Sequence, residues 1–136
     1  MARILAIDYG GKRSGIAVTD ESKIIASGLT TVDTKDLLSW LKDYVSKEEV
    51  ELFVVGEPKR LHGEASEIEK LIQPFLLKLT DNFPNIIVKR IDERFTSKIA
   101  FNTMLASGIS KKKRRDKALV DQISATIILQ DYLYNQ

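Results

Sequence analysis

Ile4-Leu5-Ala6-Ile7 is a continuous apolar run, the pattern of a strand covered on both faces. It stops at the turn signal Asp8-Tyr9-Gly10-Gly11. Residues 14–19 predict a second strand, and residues 23–32 a third after an Asp20-Glu21-Ser22 turn. Connections this short make the three an antiparallel meander. Asp33 and Thr34 are candidate N-caps for a helix carrying Leu37, Leu38, Leu41, Tyr44 and Val45 at helical spacing, with Asp36 in its first turn. Leu52-Phe53-Val54-Val55 predicts a fourth strand that ends at Gly56.

A polar loop over 57–63 then leads to a helix with Ile68, Leu71, Ile72, Phe75, Leu76 and Leu79 on its inner side, with a kink or local irregularity expected at Pro74. Asn82-Phe83-Pro84-Asn85 ends it, and Ile86-Ile87-Val88 opens a fifth strand that stops near Asp92. A short helix over 97–106, a basic loop bearing Gly108 and a last helix over 117–134 complete the order βββ-α-β-α-β-α-α. That order implies an α/β protein with a mixed sheet and helices on both faces. At 136 residues without repeats or low-complexity segments, a single domain over 1–136 is expected.

Composition narrows the chemistry. There is no cysteine, which excludes disulfides and thiolate zinc sites, and His62 is the single histidine. A metal would have to be held by oxygen ligands, which favours magnesium or manganese. The N-terminus runs straight into a strand without a signal-peptide pattern, and no window is apolar enough to cross a bilayer, so a cytoplasmic protein with no membrane partner is expected. A net charge of +2 is too small to argue for nucleic acid, so the distribution of charge must carry that case.

Three acids stand out. Asp8 ends the first strand, Glu93 follows the fifth, and Asp121 lies on the stripe of the last helix that carries Ala125, Ile128 and Tyr132. Sites in open α/β sheets lie beyond the carboxyl ends of the parallel strands, so Asp8, Glu57 and Glu93 are expected at one edge. Taken alone, Asp8 reads as a turn residue and Glu93 as a loop acid paired with Arg94 or Lys98. Asp121 faces the sheet, where helix-dipole complementarity or a buried pair with a lysine competes with a share in a metal site. Carboxylates can hold one or two Mg²⁺ or Mn²⁺ ions that activate water and stabilise the leaving oxygen in phosphodiester hydrolysis.

The basic residues sit close to these acids in the chain. Lys111-Lys112-Lys113-Arg114-Arg115 directly precedes the helix of Asp121, while Lys59-Arg60, Lys89-Arg90, Arg94 and Lys98 flank the same expected edge. Such a run is commonly a solvated loop; here its position favours a clamp on phosphates. Gly10-Gly11-Lys12-Arg13-Ser14-Gly15 lacks P-loop spacing and reads as a hairpin turn that can face a phosphate, with Lys12 and Arg13 among the substrate contacts. His62 reads as a loop residue and Trp40 as a packing residue of the first helix.

Ile7-Asp8-Tyr9-Gly10 with residues 13–18, Val55-Gly56-Glu57-Pro58 with Gly63, residues 92–97, and Val120-Asp121-Gln122-Ile123-Ser124-Ala125 together resemble the YqgF family, of RuvX type. Its members are described as nucleases resembling Holliday-junction resolvases or acting on pre-16S ribosomal RNA. The resemblance covers essentially the whole chain. It implies a ribonuclease-H-like fold, a bacterial cytoplasmic location, and magnesium- or manganese-dependent cleavage at the 5′ end of precursor 16S ribosomal RNA. It carries catalytic and metal-binding roles onto Asp8, Glu93 and Asp121. Glu57, His62 and the pair Lys117-Ala118 depart from the family's pattern, which bears on loop chemistry and substrate choice rather than on the three acids.

The expected partners are structured precursor rRNA or branched DNA, with ribosomal particles in view and the oligomeric state open between monomer and homodimer. Two other classes compete with an endonuclease. One is a non-catalytic RNA- or ribosome-binding module; the other is a fragment of a sugar-kinase or actin-like ATPase, suggested by Asp8-Tyr9-Gly10-Gly11 but too short to hold the second half.

Overall fold

The computed structural model describes residues 2–57, 67–92 and 117–134. Its strands are β1 (Arg3–Asp8), β2 (Arg13–Thr19), β3 (Ala26–Asp33), β4 (Val50–Glu57) and β5 (Ile87–Asp92). The helices described are α1 (Leu37–Lys47), preceded by a 3₁₀ turn at Thr34–Asp36, then α2 (Glu69–Asn82) and α3 (Lys117–Tyr134). The five strands form one sheet in the order β3-β2-β1-β4-β5. β1, β2 and β3 pair antiparallel, and β4 and β5 extend the sheet parallel to β1. This is the mixed α/β architecture expected of a ribonuclease-H-like chain.

Strand alternation explains why both faces are covered. In β1, Leu5 and Ile7 point to one side with Ile16, Val18, Phe53 and Val55, where α1 and α2 close the core through Leu37, Leu41, Ile72, Phe75 and Leu79. Ile4, Ala6, Ala17, Leu52 and Val54 point to the other side, against Ala125, Ile128 and Leu129 of α3. Small residues line part of the α3 face. Its bed includes Ala6, Ala17, Gly15 and Gly28, and the glycines let the helix lie close on β2 and β3.

Several boundaries differ from the sequence expectation. The third strand starts at Ala26 rather than at Lys23. Asp20 Oδ1 accepts from the N–H groups of Ile24 and Ile25 at 2.8 and 2.9 Å, and Lys23 takes a positive φ of 60°, so residues 20–25 close a turn. Neither Asp33 nor Asp36 makes a side-chain capping bond, because the chain enters α1 through the 3₁₀ turn. Helix α2 runs through Pro74, an exposed position. Trp40 stacks on Tyr44 within α1 at a centroid distance of 5.2 Å. The helix expected over 97–106 lies outside the described residues.

Candidate active site

The parallel register puts the ends of β1, β4 and β5 at one edge, with Ile7 beside Val55 and Glu57 beside Asp92. Asp8 thus sits at the carboxyl end of the central strand, half-buried. By alternation it shares the α3 face with Ile4 and Ala6. Across the antiparallel ladder its partner is Gly15, at a Cα separation of about 5 Å typical of such pairs.

Gly15 is also where α3 comes down on the sheet. A Cβ placed on Gly15 would meet the Asp121 carbonyl oxygen at 2.0 Å and the Asp121 Cβ at 3.0 Å. The backbone of Asp121 therefore rests on the residue that faces Asp8, and only glycine admits that approach. Two acids 113 positions apart thus each adjoin Gly15, one across the ladder and one through the backbone of the helix above it.

Arg13 completes this group. Its Nε lies 3.6 Å from Asp121 Oδ2, with the two side chains 37% and 28% exposed. The separation is an ion pair but too long for a hydrogen bond, and Arg13 Nε is buried without a hydrogen-bond partner among the described residues. The cation described beside Asp121 is this arginine. Lys12 is exposed on the same turn, and its carbonyl accepts from Thr34 N–H at 2.8 Å.

The turn after Asp8 is held by a ring of hydrogen bonds that sequence reasoning missed. Gly10 N–H donates to Ser14 Oγ (3.3 Å), Ser14 and Thr34 share a hydroxyl contact of 2.9 Å, and Thr34 Oγ1 donates to Gly10 C=O (2.7 Å). Because Thr34 spends its proton on Gly10, Ser14 must donate to Thr34, and the ring closes with every hydroxyl proton used. Ser14 is fully buried. Thr34, which the sequence suggests as a helix cap, instead anchors the turn; a buried serine inside a strand was the available signal.

Glu57 reaches the same sheet edge but on the other face, with Phe53 and Val55. It stands 3.9 Å from Arg90, whose guanidinium donates to both oxygens of Glu69 (3.0 and 2.8 Å) and to the carbonyls of Val55 and Gly56 (3.2 and 2.9 Å). Asp8 and Glu57 thus lie at one edge, as the strand ends predict, but alternation puts them on opposite faces of the sheet. Arg90 likewise is a tie between β4, β5 and α2 and not part of a basic fringe. Glu93, Arg94, Lys59, Arg60, His62 and Lys111 to Arg115 lie outside the described residues. Among the described residues no three acidic or histidine side chains form a metal-binding group.

The donor chemistry at this edge suits a hard cation: two carboxylates on one face, carried by a strand end and a helix and set against buried backbone. Fold and site together describe an α/β protein with acids at the carboxyl ends of the parallel strands of a mixed sheet. The profile of the family described as "RuvX: Holliday junction resolvase" matches residues 2–135, and this chain belongs to that family. It is 60% identical over 134 residues to a protein of Christiangramia forsetii, covering 98% of this chain and 99% of that one. A protein of Porphyromonas gingivalis is 60% identical over 135 residues, covering 99% and 98%. One of Flavobacterium psychrophilum is 58% identical over 133 residues, covering 98% and 97%. All three carry the name "Putative pre-16S rRNA nuclease". The family and these names support a nuclease role with nucleic acid as substrate.

Proposed function

We propose that the chain is a divalent-metal-dependent endonuclease that matures the 5′ end of precursor 16S ribosomal RNA, with Asp8, Glu93 and Asp121 as its catalytic and metal-binding acids. The observation that supports this reading is the seating of Asp121 on Gly15, the ladder partner of Asp8, at the edge where α/β sheets place their sites. Mg²⁺ or Mn²⁺, one ion or two, would be held by these oxygens and would supply activation of water and charge relief on the leaving oxygen.

The protein's own part is positioning. The Gly10–Ser14–Thr34 ring fixes the turn after Asp8, so its carboxylate is held before substrate arrives. Arg13 offsets the charge of Asp121 and stands, with Lys12, where a phosphate would approach. Arg94, Lys59, Arg60 and the run Lys111, Lys112, Lys113, Arg114 and Arg115 supply further phosphate contacts in this reading. Ribosomal particles are the setting in which such a precursor would be met.

A four-way DNA junction is the second reading, supported by the family's description as a Holliday junction resolvase. The test is side-by-side cleavage of precursor 16S rRNA and a four-way DNA junction with Mg²⁺, using Asp8→Asn as control. Cleavage of the RNA at its 5′ side, lost in Asp8→Asn, is expected. Cleavage of the junction alone selects the resolvase, and cleavage of neither leaves a binding module.

A further inference from the structure

On the face opposite Asp8, α1 and α2 leave a groove of about 580 Å³ that begins at Tyr9, the residue after Asp8. Its floor and walls include Tyr9, Leu38, Leu71 and Phe75, and its rim carries Lys35 and Lys78. Three observations bear on what it takes. The Tyr9 ring packs tilted on Phe75 at 5.0 Å, which gives the groove an aromatic wall. Leu71 is 53% exposed, a large apolar side chain left uncovered in the groove wall. Lys35 and Lys78 are exposed, and neither has an ion-pair partner among the described residues. An aromatic and aliphatic slot rimmed by two such cations is complementary to a base joined to a phosphate.

Position adds to chemistry. Asp8 and Tyr9 are consecutive, so by strand alternation they serve opposite faces of one sheet edge, and Gly11 lines the groove from the same turn. A strand whose backbone passes Asp8 can place its neighbouring nucleotide over that edge, toward Tyr9. We propose that the α1–α2 groove is a subsite for one unpaired nucleotide of the substrate strand, its base against Tyr9, Phe75 and Leu71 and its phosphate between Lys35 and Lys78. This rests on the nuclease reading and extends it: the enzyme would require a splayed, single-stranded nucleotide next to the bond it cuts.

The test is binding of a labelled single-stranded RNA decamer to the full chain carrying Asp8→Asn, in EDTA, by fluorescence anisotropy over a salt series, with cleavage by the unsubstituted chain assayed separately. Lys35→Glu with Lys78→Glu is expected to weaken binding at least tenfold and to flatten the salt slope by about 0.7 for each phosphate no longer neutralised. Leu71→Glu is expected to weaken it likewise, and a 4-thiouridine strand is expected to crosslink to the Tyr9 peptide. All three substituted positions are exposed, and an unchanged thermal midpoint confirms that the variants fold. Affinity, slope and crosslinks indifferent to these changes overturn the subsite while cleavage by the unsubstituted chain leaves the nuclease reading standing. Displacement of the decamer by micromolar uridine 5′-monophosphate makes this a free-nucleotide site and overturns its assignment to the strand. No RNA binding and no cleavage by any form overturns both.

Discussion

Asp121 lies with its carbonyl oxygen where a side chain on Gly15 would have to be. That single approach fixes the height of α3 over the sheet and brings Asp121 toward Asp8. Gly15→Ala forces the helix off the strand, because the obstructing atom is backbone and cannot rotate away. A loss of about 3 kcal/mol, the upper end for overpacking, is expected in denaturant unfolding, with nuclease activity falling further than stability explains. Native stability and activity in Gly15→Ala would show that the helix does not bear on this residue.

Asp121→Asn keeps the shape of the side chain and removes its charge. Cleavage is expected to disappear while RNA affinity stays within a few-fold, since the proposal assigns the phosphate contacts to the basic residues. An unfolded Asp121→Asn protein would instead mark the Arg13 ion pair as a structural tie.

Arg90 and Glu69 are the structural counterpart. Their side chains are 20% and 12% exposed and share two charge-assisted hydrogen bonds. Arg90→Ala leaves Glu69 and two strand-end carbonyls short of a donor, at a cost on the order of 3 kcal/mol. Lowered stability with an unchanged salt dependence of RNA binding is expected; a shallower salt slope would return Arg90 to the substrate surface.

Asp20 offers a pH test of the β2–β3 turn. The backbone N–H groups of Ile25 and Ile24 hold its carboxyl below the usual carboxylate range. A lowered folded-state pKa means the turn's contribution is complete above the unfolded value of about 3.9 and is lost as pH falls through the folded value. The Ile24 and Ile25 amide resonances are expected to titrate together with a midpoint below that figure. In Asp20→Asn the transition is expected to vanish. A midpoint at or above about 3.9 contradicts the turn geometry.

Neutralising Lys111, Lys112 and Lys113 to Gln is expected to weaken RNA binding and to flatten its dependence on salt by about 0.7–0.9 for each phosphate that is no longer neutralised. A salt slope identical to that of the unsubstituted chain removes this segment from the substrate surface.

Much of the fold is legible in the sequence because period and turn chemistry agree. The apolar run at Ile4 to Ile7 and the signals around Asp8 and Gly56 mark strands that the structure contains, and the meander follows from connection length. The third strand starts later than expected because Ile24 and Ile25, apolar residues that read as strand, sit exposed in a turn closed by Asp20. At the site, the strand-end position of Asp8 and the buried stripe of Asp121 are readable. Position along the strands does not by itself assign a face: alternation from Val55 puts Glu57 opposite Asp8. Gly15, inside β2, reads locally as part of a turn, and its use as room for a helix depends on a segment more than a hundred residues away. The Ser14–Thr34 contact joins residues from separate elements, which no local pattern predicts.

The most direct measurement is anomalous diffraction from a crystal soaked in manganese. A peak within coordination reach, about 2.0–2.3 Å, of carboxylate oxygens from both Asp8 and Asp121 is the predicted result, with Glu93 as a third ligand. A fully occupied manganese bound elsewhere, with Asp8 and Asp121 engaged only by protein groups, would contradict the shared-cation site on which the nuclease mechanism depends.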